Sequence, residues 1–320
     1  MRRRELPIHI ALCAFLFLTM TPFAFVVNNS LRTNSEMYRH FFSVPQGIKD
    51  AAHCTWLEAT GRGGQIELKL AESDAPGAEL KPRAMPYGEA MRHLWDTLSK
   101  GYRYAWKELR PYMLNTLFVC LVTVGLVLLL GTLSGYVFSR YRFPGRTALF
   151  VALLSLIMVP GVLTLVPSFL VVKKLGMLNS YWVLILPYVA GGQIFAIFLF
   201  KSFFDGLPEE LFESARLDGA GHLALYRHIV LPLSKQVIAV VAVMNILGTW
   251  NNFLWPFITN SDSKYHVVAS GLFVMSATQV AQNMATMSAA FVLSSIPLLI
   301  LFVYATKPFM QGVTSGAFKA

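Results

Sequence analysis

Residues 213–233 read ESARLDGAGHLALYRHIVLPL, and they stand between two long apolar runs at residues 181–200 and 237–258. Two such runs can be joined by a loop of only a few residues. This connection is much longer, and it places a glycine and a proline at fixed points among small and polar residues. The pattern predicts a connection with a structure of its own rather than a simple loop.

The composition indicates a membrane protein. The 320 residues are 55% hydrophobic and only 14% charged, whereas soluble domains are about 25% charged. Six stretches without Asp, Glu, Lys or Arg are long enough to cross a hydrocarbon core of about 30 Å. They are residues 8–27, 113–138, 147–171, 181–200, 236–258 and 288–305. We therefore expect an all-α polytopic membrane protein with six transmembrane helices. The first stretch follows the basic start MRRRELP, but its length and the lack of a small-x-small cleavage site favour a retained span over a signal peptide.

Lysines and arginines near the stretches predict their orientation, because short cytoplasmic loops carry an excess of both residues. With the N-terminus inside, the inner segments hold Arg2, Arg3, Arg4, Arg140, Arg142, Arg146, Lys201, Arg216, Arg227, Lys235, Lys307 and Lys319. The short outer segments hold only Lys173, Lys174 and Lys264. Both termini, and the polar segment of residues 201–235, are thus predicted to face the cytoplasm. Residues 1–27 form the N-terminus and first span, 113–305 a five-helix core, and 306–320 a cytoplasmic tail.

Residues 28–112 are predicted to form an extracytoplasmic insertion between the first two helices. The alternation of Ile66, Leu68 and Leu70 after a glycine-rich turn predicts a small β-hairpin. Farther on, one face of a predicted helix is apolar, with Met91, Leu94, Trp95, Leu98, Tyr102, Ala105 and Leu109. This helix either lies at the outer membrane interface or packs on the hairpin. A role of the insertion in docking an extracytoplasmic partner is a hypothesis.

Motifs for nucleotide, metal and nucleophilic chemistry are absent from the sequence. There is no G-x-x-x-x-G-K-[ST] loop, no H-E-x-x-H pair and no cluster of Cys and His with metal-ligand spacing. We therefore expect no enzymatic activity, no metal site and no cofactor. All seventeen acidic residues fall outside the six stretches, whereas ion-coupled transporters usually bury a charged group at membrane depth. A secondary transporter or channel is thus disfavoured.

The polar segment itself predicts two short helices. Pro208, Glu209 and Glu210 suit a helix start, and Gly219 suits its end because glycine tolerates a left-handed backbone. A second helix over 221–228 is predicted to expose Leu223, Tyr226 and Arg227, and Pro232 can begin the next span. Two readings remain open: a rigid element that protrudes into the cytoplasm, or an amphipathic hairpin that rests on the membrane surface.

The spacing of this segment resembles a known signature. Glu213-Ser214-Ala215, then Gly219, then Ile229-x-Leu231-Pro232 is similar to the E-A-A-x-x-x-G-x9-I-x-L-P pattern in permease subunits of ABC importers, with Ser214 in place of alanine. The resemblance implies a type I ABC importer permease fold and a coupling helix that sits in a groove of an ATPase subunit. The residues implied to contact or shape that site are Glu213, Ser214, Ala215, Asp218, Gly219, Ala220, Ile229, Leu231 and Pro232.

Further stretches resemble the carbohydrate-uptake, maltose-type branch of that family. They are ARLDGAG at 215–221, LGTWNNFLWPF at 247–257, PYMLNTLFVCLVTV at 111–124 and the tail QGVTSGAFKA at 311–320. The resemblance implies that Gln311, Gly312, Thr314 and Gly316 contact the ATPase dimer. It also implies a bacterial inner-membrane location and, as partners, a homologous second permease subunit, two ATP-binding cassette subunits and an extracytoplasmic solute-binding protein. ATP is bound by the partner subunits, membrane lipid surrounds the spans, and no nucleic acid is involved.

Four polar or aromatic residues of the fifth stretch are candidates for a sugar pathway. Asn245, Trp250, Asn251 and Asn252 combine amides, which hydrogen-bond hydroxyl groups, with an aromatic face, which stacks on sugar C–H surfaces. Interhelical packing is an alternative for Asn245, and a membrane-interface position is an alternative for Trp250 and Trp255. An importer for another solute, such as an amino acid, polyamine or phosphate ester, is the rival function.

Overall fold

The computed structural model describes residues 6–39, 42–61, 64–71, 79–277 and 283–317. Its helices are α1 (Leu6–Ser30), α2 (Asn34–Arg39), α3 (Gln46–Ala59), α4 (Tyr87–Arg140), α5 (Arg146–Ser155), α6 (Gly161–Lys174), α7 (Trp182–Asp205), α8 (Glu210–Leu217), α9 (His222–Leu225), α10 (Leu231–Leu233), α11 (Lys235–Asn251), α12 (Leu254–Thr259), α13 (Val268–Ala277) and α14 (Met284–Ala317). Two strands, β1 (Ile66–Ala71) and β2 (Leu80–Met85), lie between α3 and α4. The chain divides into two compact units, one of Met1–Arg110 with Leu272–Ile296 and the other of Pro111–Gly271 with Pro297–Ala320.

In the first unit, a β-hairpin carries a small hydrophobic core. Strands β1 and β2 pair antiparallel, with Ile66 opposite Met85. Ile66 and Met85 are buried together with Cys54 of α3 and Leu94 of α4. The predicted hairpin is confirmed. Of the two positions considered for the following helix, the described contacts favour packing on the hairpin.

The helix predicted near residues 91–109 is not a separate element. It is the first part of α4, whose 54 residues extend over about 80 Å at 1.5 Å per residue. The helix includes Pro111 and continues through the second predicted span. Trp95, which was assigned to the apolar face, is 73% exposed.

Within the part of the chain that the structure describes, four helices are long and apolar enough to cross a membrane: residues Ile8–Ser30, Tyr87–Arg140, Trp182–Asp205 and Met284–Thr306. Two further spans exist only if each of two bent helix pairs is counted as one, which brings the number to six. The membrane-protein class is therefore confirmed, whereas the count of six depends on how the bent pairs are treated.

The third predicted span, residues 147–171, is broken rather than straight. The axis turns by 102° between Arg146–Met158 and Gly161–Lys174. Val159 has an extended backbone with ψ of 115°, because a residue before proline is disfavoured in the helical region. Pro160 then starts α6.

The fifth predicted span, residues 236–258, is shorter than expected. Helix α11 ends at Asn251, and Asn252 is extended with ψ of 111°. The following residues form the separate short helix α12. The stretch WNNF is therefore a helix boundary rather than the interior of a span.

The second unit is held together by close contact between α4 and α7. Phe200 and Phe204 of α7 are fully buried, and Ala196 lies one turn before them. Gly131 and Gly135 of α4 face this part of α7. A Cβ atom at Gly135 would lie only 2.6 Å from Phe200 Cβ. Small residues four positions apart allow membrane helices to approach in this way.

Replacement of Gly135 by valine is expected to destabilise the second unit by about 1–3 kcal/mol, because the added atoms overlap with α7. The thermal unfolding midpoint of the detergent-solubilised protein measures the effect. Gly125→Val is the matched control on the same helix, since an added Cβ there meets no atom within 4 Å. Equal shifts in the two variants would contradict the packing argument.

Asn115 and Thr116, near the start of the second unit, hydrogen-bond to the segment that leads into α13. The amide of Asn115 donates to the carbonyls of Lys264 and His266 at 2.8 Å each, and it accepts a hydrogen bond from Tyr181 at 2.8 Å. Thr116 accepts from the backbone N–H of Val268 at 2.7 Å. These bonds explain why a polar Asn-Thr pair is present at the edge of an apolar stretch: it fixes the connection that precedes α13.

Candidate functional site: the polar segment

Helix α8 forms the first half of the polar segment and stops at Gly219. The N–H of Ala220 donates to Ala215 O at 2.9 Å, and the N–H of Gly219 donates to Arg216 O at 3.0 Å. Gly219 has a φ of +82°. This pair of hydrogen bonds around a left-handed residue is the Schellman motif. The prediction that glycine ends the first helix is confirmed.

The second half differs from the single helix predicted over residues 221–228. Only His222–Leu225 is α-helical, and Tyr226–Val230 forms a π-helical turn in which the N–H of Leu231 reaches back to Tyr226 O. Pro232 follows at once in α10. Proline cannot donate a hydrogen bond, and its ring clashes with the carbonyl four residues earlier, so the wider turn relieves the conflict.

Tyr226 was predicted to be exposed, and this prediction is wrong. Leu223 is 75% exposed, but Tyr226 is buried. Its hydroxyl lies 2.7 Å from Thr132 Oγ1 of α4, and its ring packs against Tyr136 at a centroid distance of 5.6 Å. The additional residue of the π turn changes which side chains face inward, and a regular helical pattern does not anticipate it.

Arg140, the last residue of α4, anchors the other half of the polar segment. Its guanidinium donates to the carbonyls of Phe204 at 2.6 Å and Leu207 at 2.9 Å, and it pairs with Glu209. It also lies 3.9 Å from the ring centroid of the buried Phe212. One side chain thus joins the ends of α4 and α7 to the start of α8. Arginine suits this position because its planar group offers five donors and stacks on aromatic rings.

The nine predicted coupling residues fall into two groups by exposure. The exposed residues are Glu213, Ser214, Asp218, Gly219 and Pro232. The partly buried residues are Ala215, Ala220, Ile229 and Leu231, all packed against the core of the second unit. The first group is available to a partner, and the second attaches the segment to the spans. Leu217, which is 89% exposed, and Leu223 add apolar surface to the available side.

The four candidate pathway residues occupy different environments. Asn245 donates to Val241 O of its own helix at 2.9 Å, and its oxygen lies against Gly192 of α7. Asn251 is exposed and donates to Leu247 O at 3.0 Å. Asn252 accepts from the N–H of Trp255 at 3.3 Å and so supports the start of α12. The contact of Asn245 fits the alternative of interhelical packing.

Trp250, the fourth candidate, lines an apolar cavity of about 400 Å³ in the second unit. The other lining residues are Leu117, Cys120, Leu121, Val124, Gly125, Leu128, Ile246, Pro297, Leu298 and Leu301. None of the three asparagines lines this cavity. The pathway assignment stays a prediction, because the four side chains are not gathered around one polar space among the described residues.

The side chain of Trp255 packs inside the second unit. It is buried, and its indole Nε1 donates to Val183 O of α7 at 2.8 Å. The buried indole thus joins α12 to α7. The tail residues Gln311, Gly312, Thr314 and Gly316 lie within α14, but their side chains lie outside the described part of the chain. Among the described residues, no group of three His, Cys, Asp or Glu side chains is arranged to hold a metal ion.

Arg140, Thr132 and Tyr136 are parts of this site that no sequence pattern predicted. In the sequence, Arg140 is one of many basic residues, and Thr132 and Tyr136 lie within the apolar stretch of residues 113–138. Their hydrogen-bond partners are 64 to 94 residues away along the chain. No local pattern could have identified them.

More than half of the chain matches a known protein family. Residues 112–313 match the family model described as the binding-protein-dependent transport system inner membrane component. The chain belongs to this family. The match covers the polar segment and the two residues of α4 that bond to it, Thr132 and Arg140. The chain is thus a multi-pass inner-membrane permease component of an ABC importer, as the resemblance implied.

Permeases of several transport systems are similar to this chain over most of their length. The diacetylchitobiose uptake system permease protein of Streptomyces coelicolor is 33% identical over 69% of this chain and 74% of its own. The maltodextrin transport system permease protein MalD of Streptococcus pneumoniae is 37% identical over 65% and 74%. The sn-glycerol-3-phosphate transport system permease protein of Yersinia pestis is 32% identical over 70% and 81%.

A solved structure shows the same fold. It is a chain of a bacterial ABC transporter involved in the import of the acidic polysaccharide alginate, with a TM-score of 0.64 and 17% sequence identity. The alignment covers 96% of this chain and 98% of that chain. The predicted importer-permease fold is confirmed by this likeness.

Proposed function

We propose that this chain is the permease subunit of an ATP-driven importer and that it carries a sugar or oligosaccharide across the bacterial inner membrane. A solute-binding protein delivers the solute, and the spans open alternately to the two sides. The polar segment is the point at which ATPase subunits act on the spans. The orientation follows from the distribution of Lys and Arg, with both termini and the polar segment in the cytoplasm.

The anchored geometry of the polar segment is the observation that supports this function best. A segment that must pass on displacement has to be stiff at both ends. Here Arg140 fixes the start and the buried Tyr226 fixes the second half, while Glu213, Asp218 and Leu217 remain exposed. An amphipathic hairpin that only rests on the membrane would not require these two anchors.

The partners and energy source follow from the same proposal. The sequence lacks a phosphate-binding loop, so two ATP-binding cassette subunits supply hydrolysis and this chain is not itself catalytic. It needs no cofactor of its own. A homologous second permease subunit completes the pathway, and the helical tail that contains Gln311 and Thr314 reaches the ATPase subunits.

A carbohydrate is the preferred solute because the diacetylchitobiose and maltodextrin permeases named above are among the most similar relatives. The glycerol-phosphate permease supports a phosphate ester as the second candidate. The two are distinguished by ATP-dependent uptake in proteoliposomes that contain the full transporter with its binding protein. We expect uptake of an oligosaccharide and no uptake of glycerol 3-phosphate. Uptake driven by an ion gradient without ATPase subunits would contradict the importer itself.

Reversal of charge at Glu213 is expected to weaken assembly with the ATPase subunits by about tenfold, because an exposed acidic residue at a docking surface sets electrostatic complementarity. The measurement is the ratio of ATPase to permease after affinity purification of Glu213→Lys. The control is Glu89→Lys, which changes an exposed acid in the first turn of α4. An unchanged ratio in both variants would count against docking at α8.

A further inference from the structure

The buried Tyr226–Thr132 hydrogen bond joins the polar segment to a helix that is not next to it in sequence. The segment follows α7 and precedes α11, yet the hydroxyl of Tyr226 lies 2.7 Å from Thr132 Oγ1 on α4. Both residues are buried, with Thr132 only 2% exposed. The two are 94 positions apart.

The direction of this hydrogen bond can be assigned. Thr132 Oγ1 lies 2.6 Å from the carbonyl of Leu128, and that carbonyl can only accept. The single proton of the threonine hydroxyl is therefore used there, and the oxygen accepts from Tyr226. A chain of two hydrogen bonds results, from Tyr226 through Thr132 to the backbone of α4. Such chains strengthen each member in a buried environment.

The π turn is what brings Tyr226 to this position. The turn spans Tyr226–Val230, and its widened hydrogen bond accepts at Tyr226 itself. Pro232, part of the family-like signature, causes the wider turn. Single π-helical turns inserted into α-helices are frequent at functional sites.

Stability alone does not account for the two hydroxyl groups. A buried pair of apolar side chains of the same shape can be as stable as a hydrogen-bonded pair, and Phe with Val would fill this space. A hydrogen bond is directional, so it holds the polar segment and α4 in one relative position and resists sliding between them. Arg140 adds a second connection from the same helix end to α8.

We propose that Tyr226 and Thr132 are positioning residues that pass the displacement of the polar segment directly to α4. This inference rests on the proposed function, since it concerns how work reaches the spans. The polar segment then moves α4 together with α7 and α11. Without the hydrogen bond, the segment still docks on the ATPase subunits, but α4 follows its movement less closely.

The test measures the number of ATP molecules hydrolysed per solute molecule imported in proteoliposomes. Tyr226→Phe and Thr132→Val each remove one hydroxyl and keep the shape. Each is expected to raise that ratio about fivefold, the factor for a hydrogen bond of about 1 kcal/mol, while assembly with the ATPase subunits is retained. The double variant is expected to be no worse than either single variant, because both remove the same bond.

Two controls separate a positioning role from a structural one. Thr132→Ser keeps the hydroxyl and is expected to restore the wild-type ratio. Tyr141→Phe removes a hydroxyl from a neighbouring ring, which packs edge-on against Tyr136 and is tilted against His222. This variant is expected to leave the ratio unchanged. An unchanged ratio in both hydroxyl-deleted variants, or additive effects in the double variant, would overturn the inference and leave the proposed function intact. Failure of the wild-type chain to bind ATPase subunits would instead overturn the proposed function.

Discussion

Replacement of Gly219 by valine is expected to reduce ATP-driven uptake by at least about tenfold while the spans stay folded, because it reshapes the turn between α8 and α9. The φ of +82° costs an ordinary L-residue about 1–2 kcal/mol and a β-branched residue more. No atom lies within 4 Å of an added Cβ, so the effect comes from the backbone and not from a clash. ATP hydrolysis that no longer responds to solute, measured with uptake in proteoliposomes, is the expected signature.

Gly221 offers a matched control two residues away. Its backbone is extended, with φ of −76° and ψ of 169°, a conformation that valine adopts readily. An added Cβ there also meets no atom within 4 Å. Gly221→Val is expected to keep most of the uptake. Normal solute-stimulated hydrolysis and uptake in Gly219→Val would refute the role assigned to the turn.

Replacement of Arg140 by leucine is expected to reduce uptake by at least about tenfold through loss of the anchor at the start of the polar segment. The carbonyls of Phe204 and Leu207 and the Glu209 carboxylate lose the guanidinium, and the stacking on Phe212 is removed. Phe204 O keeps the N–H of Leu207, and Glu209 keeps its ion pair with Arg216. Hydrogen bonds to a charged donor contribute about 1.5–3 kcal/mol each, so the segment is expected to detach from α4 when they are lost. Limited proteolysis within residues 206–221, together with uptake, measures the effect.

Arg142→Leu is the control for Arg140→Leu, since Arg142 is exposed two residues farther on. It makes the same change in charge and side-chain volume. Arg140→Lys is expected to be intermediate, because an ammonium group cannot reproduce the planar set of donors. If Arg140→Leu and Arg142→Leu were equally active and equally resistant to protease, Arg140 would not be an anchor.

Local chemistry made several features predictable. The conformation of Gly219, the alternation that gives the hairpin at Ile66, and the apolar stretches all depend on neighbours in sequence. Each reflects a backbone preference or a burial pattern of a few residues. The E-x-x-x-x-x-G-x9-I-x-L-P spacing also made the resemblance to ABC importer permeases recognisable, and the family match supports that resemblance.

Other features could not be read from local patterns. Apolar composition does not give the direction of a helix, so the 102° break before Pro160 and the continuity of α4 through Pro111 were missed. The inward position of Tyr226 depends on a π turn, and the anchor at Arg140 depends on partners far along the chain. The hydrogen bond of Trp255 to Val183 O also has no signal in the sequence.

Site-specific photo-crosslinking tests the central claim most directly. A photoreactive amino acid at Leu217 or Leu223, the most exposed apolar positions of α8 and α9, is introduced into the chain co-expressed with its ATPase subunits. Leu163 of α6, 69% exposed, is the control within a predicted span. The account predicts crosslinks to an ATPase subunit from positions 217 and 223 and none from position 163. Crosslinks from 217 and 223 to lipid alone, in a complex that contains the ATPase subunits, would contradict it.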